Sequence, residues 1–247
     1  MRNQQRDHWD KLSNLPLNAS VIDTHDTLGS KNLYIAQLRT ATILEILDEQ
    51  RRRGPILDFG CGNGGLSQGL ATSGRFVVGL DISKNLLSQT KRRGAMDGKA
   101  CFLQYDGNHI PIATNSIQAA TTYVVLTHIL EDTHLKQLLQ ELHRVIMPGG
   151  HLIAIEQSTY RRKLNRETWQ CRRPLKEWVS LLNSADFHVG TVKLLRYGRF
   201  PTTFLVRLGC IPNFMFPHLH KAESLLGSFF GVLPWDYCDT LFIAQKQ

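Results

Sequence analysis

Four acidic side chains close hydrophobic runs along this chain: Asp58 in ILDF, Asp81 in RFVVGLD, Asp106 in CFLQYD and Glu156 in HLIAIEQ. Directly after the first comes GCGNGG, which brings Gly60, Cys61, Gly62, Gly64 and Gly65 together. Gly60, Gly62 and Gly65 satisfy G-x-G-x-x-G, a loop whose backbone amides and following helix N-terminus suit a pyrophosphate. Glycine-rich turns also arise wherever a strand passes closely under a helix, because only glycine takes positive φ at no steric cost. The acids around the loop therefore decide what it holds.

A pyrophosphate above this loop would meet Asp58 in a partly desolvated cleft, where like charges repel strongly. S-adenosylmethionine has no phosphate, and its ammonium and sulfonium are cations, so an acid at the loop favours it over a dinucleotide. Asp81 lies about 20 residues on, placed to accept both hydroxyls of a ribose, a role common to both cofactors. Asp106 separates them: its carboxylate and the N–H of Gly107 can read the exocyclic amine and a ring nitrogen of adenine.

These residues need a frame. KNLYIAQLRTATILEILDEQ has apolar positions at helical spacing and runs into Arg51, Arg52 and Arg53 before Gly54-Pro55, a helix with basic charge at its C-terminus and a stop. ILDF is a strand, residues near 64–73 a helix, and RFVVGLD a second strand. Ser83 caps the next helix, which Gly94 ends. CFLQYD and IQAATTYVVL are strands three and four, EDTHLKQLLQELHRVI is a helix, and HLIAIEQ a fifth strand after the turn MPGG. Alternation at this spacing predicts an α/β, doubly wound, mostly parallel sheet with helices on both faces. Ligands on such sheets sit beyond the carboxyl ends of the strands.

ILDFGCGNGGLSQGL, VVGLDIS, YDGNHIP, VVLTHI and ELHRVIMPGGHLIAIEQ, in this order, resemble the class I S-adenosylmethionine-dependent methyltransferases, within them the family that includes the ubiquinone and menaquinone methyltransferases. The resemblance spans 55–157. It implies a seven-stranded Rossmann-like sheet, with RRPLKEWVSLLNSADFHVGTVKLL as a further helix and strand and CDTLFIAQK as an antiparallel last strand. It also implies that Asp58, Gly60, Cys61, Gly62 and Gly64 surround the methionine moiety of S-adenosyl-L-methionine. Asp81 and Ile82 would hold the ribose and flank the adenine, Asp106 and Gly107 would read the base, and backbone near Tyr123 and Val124 would pass the sulfonium. In such proteins the N-terminal helix folds over the cofactor; Arg39 there would pair with the methionine carboxylate and Tyr34 would cover it, although both suit an exposed helix face equally.

Methyl transfer is an in-line displacement, so the protein must align the acceptor and exclude water. A base is needed only if the acceptor loses a proton. His128, just past the fourth strand, is the candidate base, and Glu156 the candidate for orienting an acceptor hydroxyl or cation. Each has a structural alternative as a wall residue or a satisfied carboxylate. His109 follows the adenine loop; His134, His143 and His151 are wrongly placed for catalysis.

The chain has 247 residues and a net charge of +8. Residues 158–247 carry 13 basic and 6 acidic side chains, so most of the excess lies there. Arg161, Arg162, Lys163, Arg166, Arg172 and Arg173 form a basic loop. Residues 197–237 hold nine of the 21 aromatics among four prolines, which predicts a lid of short helices or a dimer contact. Basic loop and aromatic lid together suggest an acceptor partly anionic and partly apolar, a small molecule or a lipid- or nucleotide-linked metabolite. One domain is expected over 1–247, with a helical cap at 1–54, the cofactor core at 55–157 and the substrate side at 158–247. Five scattered cysteines predict neither disulfides nor a metal site. The lack of long apolar segments predicts a cytoplasmic protein without a membrane span, which leaves room for peripheral membrane contact. A nucleic-acid methyltransferase, a non-catalytic binder of the same cofactor and an NAD-dependent dehydrogenase stay open as alternatives. The first lacks an Asn-Pro-Pro-Tyr turn or a Pro-Cys nucleophile; the last is opposed by Asp58.

Overall fold

A computed structural model describes every residue except 1, 17, 51–53, 94, 95, 97 and 235. Arg51 to Arg53 at the end of the first long helix, and the Gly94 stop, thus lie outside the described residues. The chain forms two compact units, one of residues 1–107 with 203–216, the other of 108–202 with 217–247.

The first unit contains helices α1 (Arg2–Leu12), α2 (Ser30–Glu49), α3 (Gly65–Thr72) and α4 (Lys84–Ser88), and strands β1 (Ile56–Phe59), β2 (Val77–Asp81) and β3 (Ala100–Gln104). β1 pairs in parallel with β2, and β2 with β3. Every residue of β1 and β2 is buried, as their unbroken apolar runs require of parallel strands covered on both faces. The core-facing stripe of α2 includes Ile35, Leu38, Ile43, Ile46 and Leu47, each contributing roughly 1.5–3 kcal/mol by leaving water. α2 lies close against α3: a side chain at Gly69 would put its Cβ 2.5 Å from the Thr40 methyl. Ser83 does cap α4, its Oγ accepting from the Leu86 N–H at 3.1 Å.

The second unit contains strands β4 (Ile117–Tyr123), β5 (Ile146–Thr159), β6 (Lys163–Asn165), β7 (Gln170–Arg172), β8 (Phe187–Tyr197) and β9 (Tyr237–Lys246), and helices α5 (Asp132–Val145) and α6 (Leu175–Asn183). Helix α7 (Pro201–Arg207) starts in it, and most of helix α8 (Phe216–Phe230) belongs to it. β4 and β5 pair in parallel, and β9 runs antiparallel to both β5 and β8. α5 presents Leu135, Leu138, Leu139, Leu142 and Val145 on one buried stripe at three- and four-residue spacing. Sheet order is β3-β2-β1-β4-β5-β9-β8, seven strands with the antiparallel last strand inserted, the α/β class expected.

Three local details differ from the sequence reading. β5 begins at Ile146, so MPGG is an irregularity inside the strand: the ladder slips between Ile117 and Ala119, and Gly149 takes φ 73°. β4 ends at Tyr123, and the chain turns from Val124. The expected basic loop at 161–173 is an antiparallel hairpin, β6–β7, whose three-residue strands are too short to show alternation in sequence.

Candidate active site

Within the first unit, the glycine loop leaves β1 at Gly60, and Gly60, Gly62 and Gly64 all adopt positive φ. Gly64 sits at the N-terminus of α3. Asp58 is buried inside β1 and accepts a 2.5 Å bond from Ser67 Oγ in the first turn of α3. Burial raises its pKa, an effect the Ser67 hydroxyl and the nearby Arg39 charge partly offset. Asp81 faces the loop from the end of β2: Oδ2 accepts the Gly62 N–H and Oδ1 the Ser83 N–H, each at 2.8 Å. Burial pushes Asp81 up to about 6 against those two amides. Cys61 is buried, and desolvation with both carboxylates near holds its thiol well above the ordinary value, the environment of an inert thiol rather than a nucleophile. Ile82 is half-buried, Asp106 exposed, and Gly107 buried with φ 90°.

Tyr34 and Arg39, compatible in sequence with an exposed helix face, are buried in α2, at 1% and 8% exposure. Tyr34 meets Phe216 edge to face at 5.1 Å. The segment before α2 closes over the loop. Val21 touches the position a Gly62 Cβ would occupy, at 2.8 Å, Asn63 Nδ2 donates to Ser20 Oγ at 3.2 Å, and Ser83 Oγ bonds to Asp10. Sequence reasoning missed Ser20 and Val21 because they lie in an irregular stretch without periodicity.

In the second unit, β4 ends at Tyr123 and Val124 begins the turn. Val124 holds φ 53°, strained for a β-branched residue, and donates its N–H to Ile155 O at 2.8 Å. Glu156 maintains that turn. It is fully buried and accepts five bonds, from Thr122 Oγ1, the amides of Val125, Leu126 and Thr127, and Thr127 Oγ1, at 2.9–3.2 Å. The role expected for it, orienting an acceptor, is corrected: both carboxylate oxygens are occupied by the 122–127 turn. His128 follows on that turn, half-buried, with Nδ1 2.7 Å from Trp169 O. A carbonyl can only accept, so Nδ1 carries a proton, and in the neutral form of the ring the lone pair is that of Nε2. Trp169, at the tip of the β6–β7 hairpin with φ 50°, carried no sequence signal. His109 Nδ1 pairs with Glu141 at 2.8 Å.

The basic cluster is corrected as well. Arg173 is wholly buried and bonds Asp132 Oδ1 and the Ile129 carbonyl at 2.8 Å; Arg162 takes both oxygens of Asp132 at 2.7 and 2.8 Å. Arg172 bonds Gln157 at 2.6 Å and covers the Tyr237 ring. Arg161, Lys163 and Arg166 are exposed. Among the described residues no group of three or more His, Cys, Asp or Glu could hold a metal ion, and no helix is long and apolar enough to cross a membrane.

Residues 56–150 match the model of a methyltransferase domain. The match covers the stretch that carries the glycine loop, and the sheet order is that of an α/β doubly wound fold. A demethylmenaquinone methyltransferase of Clavibacter sepedonicus is 36% identical over 144 residues, 57% of this chain and 55% of that one. A malonyl-[acyl-carrier protein] O-methyltransferase of Enterobacter lignolyticus is 32% identical over 116 residues, 47% of this chain and 44% of that one. The chain thus spans about half the length of the curated relatives it matches. Among solved structures, the geranyl diphosphate C-methyltransferase of Streptomyces coelicolor has a TM-score of 0.61 at 15% identity, covering 84% of this chain and 79% of that one. The [4+2]-cyclase SpnF has a TM-score of 0.61 at 19% identity, covering 84% and 81%. At such identities the likeness concerns the fold.

Proposed function

We propose that the chain binds S-adenosylmethionine and transfers its methyl group to a small-molecule or lipid- or nucleotide-linked acceptor. The observation that carries this reading is the Gly62 N–H donated to Asp81 Oδ2. In a dinucleotide fold the second glycine lets the backbone approach a pyrophosphate; here that amide is turned to an acid. The loop is thereby lined with carboxylate acceptors, suited to an ammonium, a sulfonium and ribose hydroxyls. When bound, the cofactor supplies an electrophilic methyl on a sulfonium.

Asp81 would accept the ribose hydroxyls with lone pairs not used by the two amides, Asp58 and Arg39 would face the methionine end, and Asp106 with Gly107 would read the adenine. In the second unit, Glu156 would hold the strained turn at Val124 rigid. His128 would take a proton at Nε2 if the acceptor is a hydroxyl. An apolar acceptor agrees with the aromatic segment 197–237, and the demethylmenaquinone relative gives the same direction. The anionic part of the acceptor rests on Arg161, Lys163 and Arg166 alone, since the neighbouring arginines are committed internally. Nucleic acid is a disfavoured acceptor.

Thermal-shift measurements with S-adenosylmethionine, NAD and a nucleic-acid oligomer test the reading, because a ligand that binds only the folded state raises Tm. Stabilisation by S-adenosylmethionine alone is the expected result, and stabilisation by NAD alone overturns it. In wild type with an identified hydroxyl acceptor, His128→Ala should then lower kcat by about 10²-fold or more at unchanged cofactor affinity.

A further inference from the structure

Helix α8 is patterned against the usual rule. Its polar residues Glu223 and Ser224 point inward, and Glu223 is 1% exposed, bonded to Thr202 and 3.9 Å from the buried Arg196. Gly227 brings the helix close to β8; a Cβ there would stand 3.1 Å from Leu194 O. At its C-terminal end three apolar residues point outward, although Phe216 at its start is buried: Leu225 is 74% and Phe229 83% exposed, with Phe230 beside Phe229 in an edge-to-face pair. Lys221, Leu225 and Phe229 recur every four residues and so share one face of the helix.

Single exposed hydrophobic residues are ordinary, but a helix that buries its carboxylate and presents a leucine and two phenylalanines is not. Charge on the outer face is of one sign. That charge is the exposed Lys221, and the helix's one acid is the buried Glu223. The β6–β7 hairpin of the same unit repeats the composition, with Tyr160 and Leu164 exposed near Arg161, Lys163 and Arg166.

We propose that the outer face of α8 docks on an anionic lipid surface, with Leu225, Phe229 and Phe230 entering the acyl boundary and Lys221 resting among the headgroups. A neutral apolar partner would not select for basic side chains alone on this face, whereas a bilayer carrying negative charge uses both parts. The inference does not depend on methyl transfer.

Flotation of the full chain with vesicles of phosphatidylcholine, and of phosphatidylcholine mixed with phosphatidylglycerol, tests it. Wild type should float with the mixed vesicles, and only weakly with the neutral ones. The double substitution Leu225→Gln, Phe229→Gln should reduce that binding at least about tenfold, and Lys221→Glu should reduce it and flatten its salt dependence. All three side chains are exposed, and circular dichroism checks that the variants stay folded. Equal flotation of wild type and both variants, or none by wild type, overturns the proposal. So does sedimentation showing a dimer that the double substitution dissociates, because the face then belongs to a second copy of the chain.

Discussion

Asp81 combines two conflicting demands. Its folded pKa of about 6 exceeds the ordinary carboxyl value of 3.8, so its protonated form favours the fold. That stability is fully present below the unfolded value and lost as pH rises through about 6, an effect of roughly 3 kcal/mol. Asp81→Asn cannot ionise, so urea unfolding at about pH 4 and about pH 8 should show the variant gaining on wild type at the higher pH. A constant difference between the two proteins would mean that the carboxylate is not strained. Cofactor affinity should move oppositely, since ribose hydroxyls donate best to the ionised form. Calorimetry should find it rising with pH in wild type, and weaker by about 1.5–3 kcal/mol in the variant above pH 7. Asp81 at a strand end and Gly62 in the turn after β1 were legible from sequence, because strand-final acids and glycines answer to local backbone geometry; the bond between them was not. The burial of Arg173 was not, because its partner Asp132 stands 41 positions away.

At the scale of elements, the turn from Val124 to His128 is the part most exposed to damage. One carboxylate, Glu156, receives three backbone amides and two hydroxyls there. Glu156→Gln replaces one acceptor oxygen by an NH2 that faces donors, so it should destabilise the fold by about 1–3 kcal/mol. It should also lower kcat, through displacement of the turn. Denaturant unfolding measures the first effect; an unchanged midpoint would show that the turn holds without the carboxylate. In sequence, Glu156 was indistinguishable from a substrate-facing acid: a strand end announces that a side chain reaches the functional rim, and says nothing of which amides fold back to meet it. The hairpin β6–β7 escaped notice for a different reason. Its strands of three residues are shorter than the alternation that betrays a strand, and its basic composition imitated a solvated loop.

For the whole molecule, the sequence identified the layered α/β sheet because long buried strands and capped helices repeat one pattern, while the aromatic stretch 197–237 offered composition without a period. It contains α7, α8 and connecting turns, with many large apolar side chains in contact with water. As a lid over the acceptor, this stretch should exchange its amide hydrogens faster than β5 and β9, and gain protection when an acceptor binds. Hydrogen-exchange mass spectrometry of the free protein and the acceptor complex checks both. Protection equal to that of the strands without any acceptor would instead mark a permanently packed surface.

With Val21 and Ser20 lying against the glycine loop, the cofactor and its spent form would pass one shared door. If that door opens more slowly than the methyl moves, rapid mixing should record a burst of one methylated product per chain before a slower steady rate. Removing the Val21 side chain should speed the steady rate and shrink the burst. A trace without a burst, unchanged by Val21→Gly, would mean that the door swings freely and that the chemical step sets the pace.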